Sequence, residues 1–160
     1  MPSRPSGPLL AFRIADDRFP LLDGTGAFRT GGRWNSRGRR VIYAGLGFSV
    51  ALLEKLVRTR IGSVPSGQQF AEILIPGHVP IEQVGPEDVP GWDAPGYGAS
   101  QAYGDPWYDS GRTAVLIVPS LPAMGYDRNV LINQMHPAFS ELRTSQPRPM
   151  IWDARLFGGR

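Results

Sequence analysis

The sequence contains no cysteine and only two histidines, His78 and His136. The missing cysteine excludes disulfide bonds, cysteine-based zinc sites and catalysis by a thiolate. Two isolated histidines are too few to suggest a metal cluster, so we predict a site that works without metal. No apolar run is long enough for a signal peptide or a membrane span. We therefore expect a cytoplasmic protein that has no membrane partner.

Lysine is almost absent as well. Lys55 is the single lysine, whereas the chain has sixteen arginines and a formal net charge of +3. A GC-rich coding sequence explains such a bias without any function. Arginine also suits phosphate, since its planar guanidinium binds two oxygens at once. The basic stretch 29–40 (RTGGRWNSRGRR) would suit a small anionic ligand or a nucleic acid, and net charge alone does not separate the two.

The composition, with 41% hydrophobic and 19% charged residues, predicts a single globular domain. Strands are predicted at 9–14, 41–45, 69–75, 79–84, 114–118, 129–133 and 150–157, and helices at 48–60 and near 98–104. This mixed order, with more strand than helix and no repeat or linker, favours an α+β fold. Residues 1–8 are predicted to form a flexible tail before a domain spanning 9–160. The long loop 20–40 is of a kind that is often functional.

The helix predicted at 48–60 carries the first candidate for chemistry. Ser49 is a plausible N-cap, and three apolar residues at helical spacing are expected to face the core: Val50, Leu53 and Val57. Glu54 borders this stripe, so its carboxylate should be partly desolvated. Pairing with a neighbouring arginine would explain a glutamate at this position without any catalytic role. The functional alternative is a carboxylate in a cleft that stabilises positive charge or accepts a hydroxyl proton.

The segment GGRWN at 31–35 is the second candidate. Gly31 and Gly32 allow a ligand to approach the backbone closely, and Arg33 follows them directly, an arrangement that suits phosphate. A structural turn with a solvated arginine would explain the same residues without a ligand. The segment is neither a Walker loop nor a GxGxxG fingerprint.

Three further residues have a structural and a functional interpretation each. Tyr43 is either a core residue or a platform for a flat heteroaromatic ring. Ser120 either ends a strand in a turn or points its hydroxyl into a cleft at the sheet edge. His136 either belongs to a structural His-Pro turn or serves as an acid–base group. The order and spacing of all these candidates together, more than any one of them, point to function.

That order resembles the RES-domain toxins, a family named for an Arg, a Glu and a Ser. The matching stretches are FRI (12–14), LLDGTGA (21–27), GGRWNSRG (31–38), VIYAG (41–45), ALLEKLV (51–57), GDPWY (104–108), VLIVPS (115–120) and NVLINQMHPAF (129–139). They span nearly the whole chain. We identify Arg33, Glu54 and Ser120 as the three naming residues. The sequence departs from common family forms at Arg58, where the family often has histidine.

The resemblance implies a single domain with an ADP-ribosyltransferase-like fold, similar to the diphtheria-toxin group. It implies NAD+ as substrate, with the nicotinamide–ribose bond broken and ADP-ribose passed to water, to phosphate or to a protein such as phosphoribosyl-pyrophosphate synthetase. It also implies a type II toxin–antitoxin system. The partner would be an Xre-like antitoxin that occludes the active site, and nucleic acid would be contacted only through that antitoxin.

A mechanism follows from this resemblance as a hypothesis. Breaking the bond gives an oxocarbenium-like transition state, and nicotinamide leaves as a neutral group, so no strong general acid is needed. Glu54 would stabilise the cation or accept a ribose hydroxyl, and Ser120 would position nicotinamide or ribose. The expected NAD+ contacts are Arg33 with the backbone N–H groups of Gly31 and Gly32, then Tyr43, Arg13, Ser120 and His136.

Two other functions stay open at this point. A metal-independent RNA-cleaving toxin could also use Arg, Tyr and Glu, and the basic stretch 29–40 would suit an RNA backbone. A non-catalytic binding module is the second alternative, but it gives the Arg/Glu/Ser set no reason to occur together.

Overall fold

The computed structural model describes residues 1–60 and 62–159, and in this part of the chain eight strands form one sheet. The strands are β1 (Leu9–Asp16), β2 (Val41–Gly45), β3 (Gln68–Ile75), β4 (Ile81–Gln83), β5 (Val115–Pro119), β6 (Arg128–Asn133), β7 (Arg143–Thr144) and β8 (Arg148–Pro149). The α-helices are α1 (Thr25–Thr30), α2 (Phe48–Leu56) and α3 (Gly98–Ser110). Short 3-10 helices cover Pro86–Asp88, Pro137–Glu141 and Ala154–Phe157. The predicted α+β class is confirmed.

Backbone pairing within the sheet is incomplete in the middle, between β1 and β2. Its strand order is β4-β5-β6-β2-β1-β3-β7, with β8 also paired to β3. β1 pairs with β3 along its whole length, and β2 pairs with β6 along its whole length. β1 and β2 pair with each other only where Phe12 meets Gly45. The sheet is therefore two well-paired halves joined at a single point, with a gap beside the junction.

Arg13 fastens the two halves where the backbone pairing stops. Its Nη1 donates to the carbonyl of Tyr43 on β2, and its Nε donates to the carbonyl of Leu21, both at 2.6 Å. Burial lowers the pKa of Arg13 to about 10, so the side chain still carries its charge at neutral pH. Hydrogen bonds from a charged donor stabilise a fold more than neutral ones. Arg13 thus joins β1 to β2 by one side-chain hydrogen bond where their backbones do not pair.

The core lies on both faces of β5 and β6. Side chains alternate between the faces of a strand, so Ile117 and Ile132 join one buried cluster while Leu116 and Leu131 join the other. The second cluster is completed by three tryptophans, Trp34, Trp92 and Trp107. Burial on both faces explains why 114–118 and 129–133 are apolar without alternation.

Six of the seven predicted strands are confirmed, with ends shifted by a residue or two, and the strand predicted at 150–157 is wrong. That segment forms a 3-10 helix over Ala154–Phe157, which begins where the carboxylate of Asp153 accepts from the backbone N–H of Arg155. Ile151 is 94% exposed. The apolar residues of this segment resemble a strand in sequence, but none of residues 151–157 lies in a strand within the part of the chain that the structure describes.

The first predicted helix exists but is shorter than 48–60. Gly47 is the N-cap of α2, so the prediction of Ser49 as N-cap is wrong. The helix ends at Leu56, and Val57, predicted to face the core, is 60% exposed. Val50 is buried as predicted. The apolar stripe packs on the sheet for little more than two turns, after which the chain turns away.

Two other helices differ from the sequence prediction. α3 is longer than the helix expected near 98–104, and it contains Pro106. α1 lies inside the stretch 20–40 that was predicted to be loop. Among the described residues, no helix combines the length and the apolar character that a membrane crossing needs.

The N-terminal segment lies against the edge of the sheet. The backbones of Ser3 and Gln83 on β4 exchange two hydrogen bonds, of 2.9 and 2.8 Å. That residues 1–8 are flexible, and that the domain spans 9–160, stay predictions.

Helix α3 holds the GGRWN segment in place. Gly104 of α3 is buried against the backbone of Trp34, and a Cβ added there would lie 1.7 Å from the Trp34 carbonyl oxygen. Beside this contact, the Asp105 carboxylate accepts from the backbone N–H and the hydroxyl of Ser36. One turn further along, Asp109 forms a two-point ion pair with Arg39. The position of the segment 31–40 therefore depends on close backbone contact at Gly104.

Replacing Gly104 with alanine should destabilise the fold by about 3 kcal/mol, because overpacking against backbone cannot be relieved by a side-chain rotation. The measurement is urea unfolding followed by circular dichroism. Gly98→Ala is the control in the same helix, since a Cβ there meets nothing within 4 Å; its free energy of unfolding should change by less than about 1 kcal/mol. Equal stability of the two variants would contradict the close contact.

Candidate active site

A cleft opens beside the gap between β1 and β2. Its volume is about 530 Å³. Its walls come from six parts of the chain: the segment 30–34, the strand residue Tyr43, the end of α2 with the residues just past it, Tyr97 before α3, the end of β5 with the turn that follows it, and Asn129 on β6. The lining residues are Thr30, Gly31, Gly32, Arg33, Trp34, Tyr43, Glu54, Val57, Arg58, Tyr97, Pro119, Leu121, Pro122 and Asn129. Two of the three naming residues, Arg33 and Glu54, thus share one cavity.

Glu54 is held at the floor of this cleft by two hydrogen bonds to one oxygen. Its Oε1 accepts from the Ser120 hydroxyl at 2.9 Å and from the side-chain amide of Asn129 at 2.6 Å. Within residues 1–60 and 62–159, its Oε2 has no hydrogen-bond partner. One oxygen therefore fixes the orientation of the carboxylate, and the other is available to a ligand.

Ser120 has a different place from the predicted one. It is completely buried, and its hydroxyl donates to Glu54. The hypothesis put this hydroxyl against nicotinamide or ribose, whereas the structure puts it behind the carboxylate. Strand register explains the arrangement, because Val118 of β5 lies opposite Asn129 of β6 and brings both donors to the same end of the sheet.

Arg33 lies on the cleft wall and is held by the loop that precedes α3. Its Nη1 donates to the carbonyls of Trp92 and Ala94, each at 2.9 Å. Its guanidinium carbon lies 4.8 Å from the ring centroid of Tyr97, within cation–π range. These contacts fix the guanidinium plane and attach the 92–97 loop to the cleft. Its Nε and Nη2 make no hydrogen bond to any residue that the structure describes.

The proposed phosphate contacts of Gly31 and Gly32 need correction. The N–H of Gly31 already donates to the Ala27 carbonyl at the end of α1, and that of Gly32 donates to the Asn35 carbonyl. Neither amide is free to bind an anion in this conformation. Gly32 is needed for another reason, because a Cβ there would lie 2.7 Å from the Tyr43 hydroxyl oxygen.

Tyr43 ties the GGRWN segment to β2. Its hydroxyl donates to the side-chain oxygen of Asn35 at 2.6 Å and accepts from the Trp34 N–H at 3.2 Å. Burial raises the pKa of this phenol above its ordinary value. The hydroxyl is therefore a fixed neutral donor, and the ring edges the cleft. A ring held in this way suits the predicted role as a border for a flat ligand.

A smaller recess of about 80 Å³ adjoins the cleft at Glu54. Tyr43, Glu54, Arg58 and Asn129 line both cavities. The recess alone is lined by Phe12, Arg13, Ile14, Ala44, Gly45, Ala51 and Lys55. Arg13, predicted as a second phosphate contact, lines this recess, but its Nε and Nη1 are engaged by backbone carbonyls.

His136 is not brought to the cleft, and its predicted contact with NAD+ needs correction. Its Nδ1 accepts from the backbone N–H of Ala138 and so caps the 3-10 helix Pro137–Glu141. It follows Asn133, at the end of β6 opposite to Asn129. Among the described residues, His, Cys, Asp and Glu form no group of three or more that could hold a metal ion.

Sequence reasoning missed three residues that the structure places in the cleft. Asn129 was treated only as part of a strand, although an amide beside a buried apolar run is an unusual start. Arg58 was noted only as a departure from the family, and its place in the cleft depends on where α2 ends. Tyr97 lies in a Gly- and Pro-rich segment that has no periodicity to indicate where its ring points.

Known proteins similar to this chain belong to one family. The family model of the RES domain matches residues 10–153. A protein of Sphingobium sp. (strain YBL2) named "Prs ADP-ribosylating toxin" is 37% identical over 146 residues, covering 89% of this chain and 88% of that protein. A protein named "Toxin Res" from Yersinia enterocolitica is 33% identical, covering 92% of this chain and 99% of its own length.

The fold has a counterpart among solved structures. A chain in the crystal structure of the M. tuberculosis MbcT–MbcA toxin–antitoxin complex superposes with a TM-score of 0.76 at 16% identity, covering 96% of this chain and 88% of that one. At this identity the similarity shows the fold. It is consistent with the ADP-ribosyltransferase-like architecture that the sequence resemblance implies. On the match along residues 10–153 and on these relatives, the chain belongs to the RES domain family.

Proposed function

We propose that this chain is the toxin of a toxin–antitoxin pair and breaks the nicotinamide–ribose bond of NAD+. The observation that carries the proposal is the Glu54 carboxylate, fixed through Oε1 by Ser120 and Asn129 at the floor of a cleft walled by Arg33 and Tyr43. A relative covering most of the chain is named as an ADP-ribosylating toxin, which supports the same chemistry.

Glu54 would act on the ribose. Departure of nicotinamide leaves positive charge on C1′ and the ring oxygen. A preoriented carboxylate stabilises such charge without reorganising during the reaction. Oε2 would face the ribose, either beside the developing cation or accepting a ribose hydroxyl. Ser120 and Asn129 would act as positioning residues, because they touch the carboxylate and hold its angle.

Arg33 would bind the phosphates of NAD+. Its Nη1 is already committed to the Trp92 and Ala94 carbonyls, so the guanidinium would use Nε and Nη2 for phosphate oxygens. Stacking on Tyr97 keeps the fork in one plane before substrate arrives, which lowers the entropic cost of binding. Tyr43 would border the nicotinamide ring.

The fate of ADP-ribose and the partner belong to the proposal as well. Water, phosphate and a protein side chain can all attack the same carbon. The name of the Sphingobium relative favours a protein acceptor, and phosphoribosyl-pyrophosphate synthetase is the candidate that the family resemblance gives. An Xre-like antitoxin would bind across the cleft and occlude Glu54.

Glu54→Gln should keep the fold and lower the rate of NAD+ cleavage at least about 100-fold, because the amide carries no charge to stabilise the cation. Nicotinamide release, measured by chromatography, is the assay. Glu87→Gln, which removes an exposed carboxylate from the 3-10 helix Pro86–Asp88, is the matched control and should cleave NAD+ at the wild-type rate. An RNA substrate is included in parallel. Wild-type protein that degrades RNA and leaves NAD+ intact would overturn the proposal.

Ser120→Ala should lower kcat about tenfold and leave KM for NAD+ nearly unchanged, since the hydroxyl holds Glu54 and would act through that carboxylate. A buried hydroxyl also contributes to stability, so near-UV circular dichroism at the assay temperature must first show native tertiary structure. A raised KM with unchanged kcat would instead assign Ser120 to ground-state substrate binding, as the sequence hypothesis had it.

A further inference from the structure

One side of α3, together with its N-cap residue, contacts the segment 31–40 along most of the helix. Residues three and four positions apart share one side of a helix. The contacts are made by Tyr97, Gln101, Gly104, Asp105 and Tyr108. Tyr97 stacks on the guanidinium of Arg33, and Gln101 binds the backbone of the turn that carries this arginine.

Gln101 closes the turn that carries Arg33. The turn runs from Gly32 to Asn35, and the N–H of Gly32 donates to the carbonyl of Asn35 at 2.8 Å. Nε2 of Gln101 donates to the carbonyl oxygens of both residues, to Gly32 at 2.9 Å and to Asn35 at 3.1 Å. A primary amide has two N–H donors, so Gln101 spends both on the backbone of one turn. The amide therefore fixes the backbone immediately before Arg33.

Ser100, the neighbour of Gln101, acts on the other end of the same arginine. It is completely buried, and its hydroxyl donates to the carbonyl of Trp92 at 3.1 Å. That carbonyl also accepts from Nη1 of Arg33 at 2.9 Å. A carbonyl oxygen has two lone pairs, so these two donors satisfy it. The first turn of α3 thus holds both the backbone before Arg33 and an acceptor of its guanidinium.

Gln101 itself lies outside the cleft. It is not among the residues that line the cavity, and both of its N–H donors are engaged by backbone carbonyls. Its side chain carries no net charge, so replacing it with another neutral side chain leaves the charge of the cleft unchanged. An effect of Gln101 on a ligand in the cleft would therefore pass through the turn and through Arg33.

We propose that Gln101 is a positioning residue for Arg33, and that it sets the affinity of the site for the dinucleotide without changing the rate of bond cleavage. The inference rests on the proposed function, in which Arg33 binds NAD+ through Nε and Nη2. A guanidinium held in one place before the ligand arrives loses less entropy on binding. Release of the turn would let the guanidinium tilt away from its ligand, while Glu54 keeps its own partners. KM, and not kcat, should therefore respond.

The first test is the kinetics of Gln101→Met, which keeps about the same side-chain length and removes both donors. This variant should raise the KM for NAD+ about tenfold and leave kcat within about twofold of the wild type. Nicotinamide release is the assay. Gln146→Met, at an exposed glutamine between β7 and β8, is the matched control and should have the wild-type kcat and KM. Near-UV circular dichroism of each variant excludes unfolding as the cause of any change.

A double-mutant cycle tests whether Gln101 acts through Arg33. In an Arg33→Gln background, Gln101→Met should leave the affinity for NAD+ unchanged, because the group that it positions is gone. Isothermal titration calorimetry measures this affinity in all four proteins. An equal loss of affinity in both backgrounds would overturn the proposal, as would an unchanged KM or a reduced kcat in Gln101→Met alone.

The last measurement does not depend on NAD+. Nitrogen-15 relaxation of the Arg33 Nε–Hε group, assigned by its absence in Arg33→Gln, reports how rigidly the ligand-free protein holds this side chain. The order parameter should be lower in Gln101→Met and in Ser100→Ala than in the wild type and Gln146→Met. Equal order parameters in the wild type and Gln101→Met would refute the positioning role. A lower order parameter in Gln101→Met, in a protein whose wild type does not cleave NAD+, would refute the proposed function and leave that role intact.

Discussion

The single pairing point between β1 and β2 is the constraint on which the rest of the structure depends. Each strand is fully paired on its other side, so both halves of the sheet are stable and only their junction is incomplete. An unpaired gap inside a sheet exposes backbone polar groups that need partners. Arg13 supplies one by donating to the Tyr43 carbonyl. This bond spans the gap, and α2 places Glu54 beside it.

The wall of the cleft opposite α2 is built by contacts between distant parts of the chain. Segment 31–40 rests on α3 at Gly104 and is tied to β2 by the hydroxyl of Tyr43. Arg33 then attaches the 92–97 loop through two carbonyls. Glu54 and Arg33 thus each have structural partners on one side, while Oε2 of Glu54 and the Nε and Nη2 of Arg33 have none among the described residues. Such preorganisation is what electrostatic catalysis of bond cleavage requires.

The sequence predicts the parts that local patterns encode. The apolar runs of β5 and β6 and the apolar letters of α2 are visible because burial depends on side-chain type and spacing. The strand wrongly predicted at 150–157 shows the limit of such patterns, since Trp152 packs edge-on to Phe157 within the same segment and not into the sheet. Tertiary packing likewise sets where α2 ends. The helix ends before Arg58, and this residue therefore lies at the cleft.

The naming residues could be found from their order, but not the contacts that give them their roles. No spacing indicates that Ser120 would lie behind Glu54, because that contact joins residues 66 positions apart. His136 has the chemistry of an acid–base group, but it caps a 3-10 helix. The sequence around it is compatible with either role. Asn129 has the same partner as Ser120, yet as the first residue of an apolar run it gives no sign of that contact in the sequence.

The central claim is that Glu54 and Arg33 act on one bound dinucleotide. The most direct measurement is a crystal structure of Glu54→Gln, soaked with NAD+. The account predicts the ribose C1′ within contact distance of residue 54 and a phosphate oxygen on the guanidinium of Arg33. NAD+ bound away from this cleft, or touching only one of the two residues, would contradict it.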